Sequence, residues 1–260
     1  MVLFFDSGIG GLAYLQEFLR RRSVPVVYLG DTAFFPYGDR SPEEVRDRVV
    51  RLVSQMADLY PLDAAVIACN TASVVALDAV RRDVDIPVIG VVPAVKPAAG
   101  ITRTGHIAVL STNRTAGDPY TEDLVRRFAR YSRVTLLGLP RLVQAAEENI
   151  CGAAVPSVTK IIEEDVKNVL EADVDTVVLA CTHFIGIRDI IARVLGPGRT
   201  VVDSLDGVVR RLIWTLDEQK ISVRGTAGRG HFATTGPLNR DISCLLMEHR
   251  LLAQLEPESV

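Results

Sequence analysis

Two short runs of this chain end alike. DAAVIACNT (63–71) and DTVVLACTH (175–183) each place an Asp six residues before a Cys and close an apolar run with Ala-Cys. Polar, helix-capping residues follow in both. A thiol where a strand ends and a helix begins suits thiolate chemistry, because the positive end of the helix favours the ionised sulfur. A single Cys of this kind reads most simply as a small buried apolar residue. Two at matching positions suggest a reaction that uses both. Cys69 and Cys181 could act as a matched base and acid. One thiolate removes a proton from a carbon stereocentre, the other thiol returns one to the opposite face, and the roles exchange in the reverse direction. The carbanion needs oriented donors. Backbone N–H groups at Gly8 and Gly38 could supply them, as could the hydroxyls of Ser7, Thr71, Thr112, Thr115 and Thr182.

Other groups lie near these runs in sequence. His183 is two residues past Cys181 and could bind a carboxylate or assist the thiol. Asp6 ends the first apolar run and Asp31 the second, so both reach the same rim as Cys69. Glu147 lies in a helical pattern and reads as exposed. Residues 4–15, FFDSGIGGLAYL, also satisfy the glycine pattern of a dinucleotide-binding turn through Gly8, Gly10 and Ala13. That alternative, a dinucleotide-dependent oxidoreductase, would set the Asp6 carboxylate against a pyrophosphate and leave the paired cysteines unexplained. A two-lobed protein that binds a small ligand without catalysis would not need both thiols. Cys151 and Cys244 lack this context and read as structural.

The elements that must position these groups are legible as an alternation. Apolar runs at 2–5, 26–29, 64–68, 87–91, 106–110, 134–137, 176–180 and 200–203 alternate with helical patterns. Near-continuous apolar strands separated by helices predict parallel sheets buried on both faces. The Pro-rich segment VVPAVKPAAG (91–100) breaks the rhythm and reads as a crossover between lobes. The halves also repeat in order: FFDSG with AVLST (108–112), VVYLGDT (26–32) with VTLLGLP (134–140), and the two Cys runs with each other. A duplicated half-domain follows. The expected fold is α/β, with two similar lobes whose doubly wound, parallel-sheet cores are related by pseudo-twofold symmetry and whose active site occupies the cleft between them. Residues 1–93 with 206–260 would form the lobe carrying Cys69, and 94–205 the lobe carrying Cys181. The terminal EPESV is expected to fray.

Composition narrows the partners. The 260 residues are 48% hydrophobic with a net charge of −3, which argues against a nucleic-acid surface. No uncharged apolar run reaches the length of a membrane span, and no signal peptide precedes the first strand. The four cysteines form no zinc spacing. A cytoplasmic protein with free thiols and no metal is the expectation.

At these residues the sequence resembles the glutamate racemases of the cofactor-independent Asp/Glu racemase superfamily. The resemblance runs through DSGIGG (6–11), DTAFFPYGDRS (31–41), ACNTAS (68–73), PVIGVVPAVKPA (87–98), ST-x-x-T (111–115), LPRLVQAAEE (139–148), ACTHF (180–184), VVDS (201–204) and FATTG (232–236). It implies interconversion of L- and D-glutamate without a cofactor, supplying D-glutamate for peptidoglycan, in a cytoplasmic homodimer. Aspartate is the alternative substrate. Cys69 and Cys181 are implied as the two acid/bases, with Asp6 supporting the first and His183 the second. Asp31 and Glu147 match family acids implicated in catalysis. Asp6-Ser7, Tyr37-Gly38, Asn70-Thr71 and Thr182-His183 match substrate-binding segments. One departure stands out: members usually continue CTH with Tyr or Phe, Pro and Leu, whereas this chain continues FIGI (184–187).

Overall fold

The computed structural model describes residues 1–150, 155–220, 230–236 and 255–259. Cys151, Cys244 and His249 fall outside them. In chain order the elements are β1 (Val2–Asp6), α1 (Leu12–Arg21), β2 (Val26–Gly30), α2 (Pro42–Leu59), β3 (Ala64–Ile67), α3 (Asn70–Asp83), β4 (Val88–Gly90), α4 (Val95–Ile101), β5 (His106–Ser111), α5 (Asn113–Ala116), α6 (Pro119–Phe128), β6 (Arg133–Gly138), α7 (Pro140–Ile150), α8 (Val155–Ile162), β7 (Thr176–Ala180), α9 (Thr182–Gly186), α10 (Arg188–Leu195), β8 (Thr200–Val202), α11 (Leu205–Glu218), β9 (Gly230–Thr234) and β10 (Leu255–Ser259). No helix among the described residues is long and apolar enough to cross a membrane.

The chain divides into two compact units, each an α/β lobe on a parallel sheet. One comprises Met1–Val91 and the described residues from Leu205 onward; the other is Val92–Ser204. The first sheet runs β10-β9-β2-β1-β3-β4 and the second β6-β5-β7-β8. Without β9 and β10, the order β2-β1-β3-β4 is repeated as β6-β5-β7-β8. The register repeats too: Asp6 pairs with Gly30 as Ser111 pairs with Gly138. β1, β2, β3 and β7 are buried at every position. That is why their sequences are continuously apolar rather than alternating.

The helices follow from local signals. α2 starts with a capping box: Ser41 Oγ accepts the Glu44 N–H (3.2 Å), and Glu44 accepts the Ser41 N–H (3.0 Å). Its Val45, Val49, Leu52, Val53 and Met56 form the stripe that covers the first sheet. The Pro-rich 91–100 segment spans the boundary between the units at Val91 and Val92, and it also contains helix α4, because Pro97 falls in the first turn, where a missing N–H costs no helix bond. One expectation fails. The EPESV terminus does not fray over its described part. Leu255–Ser259 pairs in parallel with β9 as an edge strand, a position that tolerates Pro257.

The Asp that precedes each Cys by six residues lies at the other end of the strand. In the second unit Asp175 accepts from Thr102 Oγ1 (2.6 Å), the N–H groups of Arg103 (2.7 Å) and Thr104 (3.0 Å), and Thr176 Oγ1 (2.8 Å). It ties the segment entering β5 to β7, and its role is structural.

Candidate active site

In an open parallel sheet the crevice forms at the carboxyl ends of the strands, where the winding reverses. In the first unit that point lies between β1 and β3. β1 ends at Asp6 and is followed by Ser7. β3 is followed by Ala68 and Cys69, and the Ala68 N–H donates to the Phe5 carbonyl (2.6 Å), which keeps the two ends side by side. Cys69 is buried and caps α3, where its sulfur accepts the Ala72 N–H at 3.5 Å. Its thiol also donates to Ser7 Oγ at 3.6 Å. As a thiolate it would accept from the same hydroxyl. Helix end, backbone donor and hydroxyl all favour a negative sulfur.

The glycine loop serves Asp6, not a phosphate. Asp6 is fully buried, and its Oδ2 accepts the Gly11 N–H (2.8 Å) at the start of α1. The helix-start donor that a pyrophosphate would use is already engaged by a carboxylate. Gly11 is required by close approach. A Cβ there would sit 2.9 Å from the Asp6 Cβ and 3.0 Å from the Ala68 carbonyl oxygen. Gly11→Ala should therefore cost about 1–3 kcal/mol, the usual range for overpacking, and reduce activity, because it displaces the residues beside Ser7 and Cys69. Urea unfolding and an activity assay check both outcomes.

Asp31, just past β2, is fully buried. Arg48 of α2 grips it with two donors, Nε to Oδ2 (2.9 Å) and an Nη to Oδ1 (2.6 Å). Tyr37 donates its hydroxyl to Oδ2 (2.7 Å), and Thr235, just past β9, donates to Oδ1 (2.5 Å). Burial alone would push the Asp31 pKa up. The bonds from Arg48, Thr235 and Tyr37 outweigh it and hold the carboxyl below its usual range. Such a carboxylate is a poor proton donor, so its geometry favours positioning over proton transfer. Gly38 lies in the same short turn, Tyr37–Asp39, which packs against α3.

The second unit repeats the reversal between β5 and β7. Thr112 follows β5 and caps α5, accepting the Thr115 N–H (3.1 Å) and donating its hydroxyl to Thr115 Oγ1 (3.1 Å). Cys181 follows β7 and precedes Thr182, the first residue of α9; both are buried. Here the helix-dipole expectation needs correction. α9 spans five residues, and Cys181 makes no side-chain cap bond to it. Its support is His183, whose Nδ1 lies 3.6 Å from the sulfur. The His183 Nε2 lies 2.7 Å from Glu147 Oε2 on α7.

Glu147 is therefore not the exposed residue that its local pattern suggests. It is mostly buried and completes a Cys181–His183–Glu147 chain. Burial alone would lower the His183 pKa. The Glu147 carboxylate, then the bond to Cys181, more than offset it, and the imidazole is raised well above its ordinary value. The imidazole thus sets a positive charge beside the Cys181 sulfur. The FIGI departure contributes to this packing. α9 lies against α7 at Gly186, where a Cβ would come within 3.1 Å of the Ile150 side chain.

The structure thus groups Asp6, Ser7, Asp31, Tyr37, Gly38, Cys69, Asn70 and Thr71 on the first unit. It groups Thr112 and Thr115 at one strand end of the second, and Glu147, Cys181, Thr182 and His183 at the other. Asn70 is buried, and neither end of its side-chain amide has a hydrogen-bond partner among the described residues. An unpaired buried amide is costly, so this group is set up to bind a polar ligand. Arg48 and Thr235 were not foreseen as site residues. FATTG (232–236) was the available signal for Thr235; Arg48 sits in an ordinary amphipathic helix.

Three comparisons bear on this geometry. The sequence pattern of the Asp/Glu/hydantoin racemase family matches residues 12–212. The glutamate racemase of Klebsiella pneumoniae (strain 342) is 42% identical over 223 residues, covering 84% of this chain and 77% of that one. The crystal structure of Escherichia coli glutamate racemase in complex with L-glutamate and the activator UDP-MurNAc-Ala matches with a TM-score of 0.88 at 35% identity, covering 100% of this chain and 98% of that one. A glutamate racemase isoform from Bacillus anthracis matches at 0.83 and 29% identity, covering 100% and 97%. Sequence pattern, relatives and fold agree: the chain belongs to the Asp/Glu/hydantoin racemase family.

Proposed function

We propose that this protein interconverts L- and D-glutamate by proton transfer at Cα, with Cys69 and Cys181 serving opposite faces of the carbon. The observation that carries the reading is the pair of buried cysteines at equivalent winding reversals, each with its own support for negative charge: Ser7 and the Ala72 N–H for Cys69, His183 with Glu147 for Cys181. The similarity to glutamate racemases, one of them crystallised with L-glutamate, supports glutamate as substrate.

In one direction the Cys69 thiolate takes the Cα proton, and the electron pair of that C–H bond remains on Cα, delocalised into the substrate carboxylate. The Cys181 thiol then protonates the other face and is left as thiolate. The reverse direction exchanges the roles, so no net proton is consumed. Ser7, Asn70, Thr71, Thr182 and the Tyr37-Gly38 turn bind the substrate, with Thr112 and Thr115 as further hydroxyls. Asp6 holds the Cys69 rim. We also place the enzyme in the cytoplasm as a homodimer, with its D-glutamate entering peptidoglycan.

Incubation with L- or D-glutamate in D2O, without added cofactor, tests the reading. Deuterium should enter Cα while the enantiomers equilibrate. Exchange with aspartate alone would move the substrate assignment; exchange with neither amino acid would sink the proposal.

A further inference from the structure

Arg48 lies outside the motifs that single out Asp31 and Tyr37, yet it is the cation that the buried Asp31 carboxylate meets. Its side chain is about three-quarters buried and its guanidinium carbon lies 5.4 Å from the centroid of the Phe34 ring, so its own freedom is small. α2 presents it from the turn between Val45 and Val49, both fully buried. On the other side of Asp31 stands Tyr37. Its proton is committed to Asp31, and its ring belongs to the apolar cluster that contains Cys69. We propose that Arg48 is a positioning residue for the Cys69 thiol: it neutralises Asp31 and thereby fixes the Asp31–Tyr37 hydrogen bond beside that cysteine.

The physical reason is what Arg48 prevents. A buried carboxylate without a counter-ion has two courses. It can keep its charge, which sets an uncompensated negative field near Cys69 and opposes a thiolate. Or it can take a proton, and its new hydroxyl then competes with that of Tyr37. Either course changes the phenol that bonds Asp31 and shares an apolar cluster with Cys69. A phenolate at Tyr37 is opposed by burial, by Asp31 and by Cys69, so Tyr37 feels both groups. Among the described residues of this unit, the titratable groups around Cys69 are Asp6 at the end of β1, Asp31 after β2 and Tyr37, with Arg48 of α2 as the cation. The first turn of α3 adds no acid.

Alkylation tests this without using turnover. Iodoacetamide is applied at one fixed near-neutral pH, and Cys69 and Cys181 are quantified separately by peptide mass spectrometry, so that Cys181 serves as the internal reference. In Arg48→Met, the Cys69 rate should fall about five- to tenfold, as for a thiol shifted by up to one pKa unit, while Cys181 holds. Arg48→Lys keeps the charge but loses the two-pronged grip, and its Cys69 rate should lie between those of the parent and Arg48→Met. Asp31→Asn combined with Arg48→Met removes both charges and should recover to a similar level. An unchanged Cys69:Cys181 ratio in Arg48→Met overturns the proposal. So does a Lys variant or a double variant as slow as Arg48→Met. The Lys and double variants decide the matter if Arg48→Met does not fold.

The consequence for turnover rests on the racemase reading. Arg48→Met should lower kcat/KM for L- and D-glutamate by one common factor, because the equilibrium between enantiomers fixes the ratio. Failure of the parent protein to racemise glutamate would remove that reading and leave the labelling result standing.

Discussion

Cys69→Ser and Cys181→Ser should each lower racemisation in both directions by about 10²–10⁴-fold, the range contributed by a positioned acid or base. Both changes are nearly isosteric, and serine caps helices well, so α3 should survive the loss of the Cys69 sulfur. What disappears is an ionisable group. A serine hydroxyl does not give up its proton at neutral pH. The variants should also differ in kind. Under the assignment of one thiol to each face, the remaining thiol should still remove a proton from one enantiomer and return it to the same face. Slow exchange of Cα–H with D2O should therefore persist for opposite enantiomers in the two variants, without inversion. NMR of each glutamate enantiomer in D2O reads this directly. Near-normal turnover in both directions by either variant would contradict the assignment of one thiol to each face.

Glu147→Gln should have the next largest effect. Gln keeps a side chain of the same length and hydrogen-bonding capacity but removes the charge that holds His183 protonated. Burial then prevails and the imidazole becomes neutral, with the pKa of His183 falling below its parent value. Loss of the cation beside Cys181 should lower kcat about 10–100-fold, about 1.4–2.7 kcal/mol, as expected for losing a hydrogen bond to a charged group. Stability should follow with a defined sign. The folded pKa of His183 is raised, so the stabilisation from the pair is fully present below its unfolded value of about 6.5 and fades as pH rises through the folded value. Glu147→Gln should therefore be destabilised by about 1–3 kcal/mol in acid, and the gap to the parent should narrow as pH rises. Urea titrations at a series of pH values measure this. A gap that widened with pH would show that the pair does not hold a proton on His183.

Much of the scaffold was legible because burial on both faces leaves parallel strands continuously apolar. The repeat was legible for the same reason, and the strand orders of the two sheets match its three segment pairs. What stayed hidden depends on contacts distant in sequence. Asp31 looked like a lone rim acid, but its partners lie 17 residues away at Arg48 and 204 away at Thr235. Glu147 looked solvated because charge dominates a local reading. Yet it stands four residues after the buried Val143, so the buried stripe of α7 carries it inward. At Cys181 the sequence promised a helix end; α9 is too short, and the neighbouring imidazole takes over. Pro97 marked a break by type, while its place in the first turn of α4 made it harmless.

The end of β9 also carries a consequence for synthesis. Thr235 donates to Asp31, its N–H bonds the Gly30 carbonyl, and the Gly236 carbonyl accepts from Thr32. A ribosome delivers Asp31 some 204 residues before the hydroxyl that completes its shell, a delay of about 10–40 s at ordinary elongation rates. The unit bearing Cys69 emerges first but is finished last, after the whole of the other unit has been made. A nascent chain stalled short of residue 230 holds every residue of the Cys69 loop and α2, yet leaves β2 as an unpaired edge. Such an intermediate is open to pairing with another chain, which makes the late strand a guard on assembly as well as part of the fold.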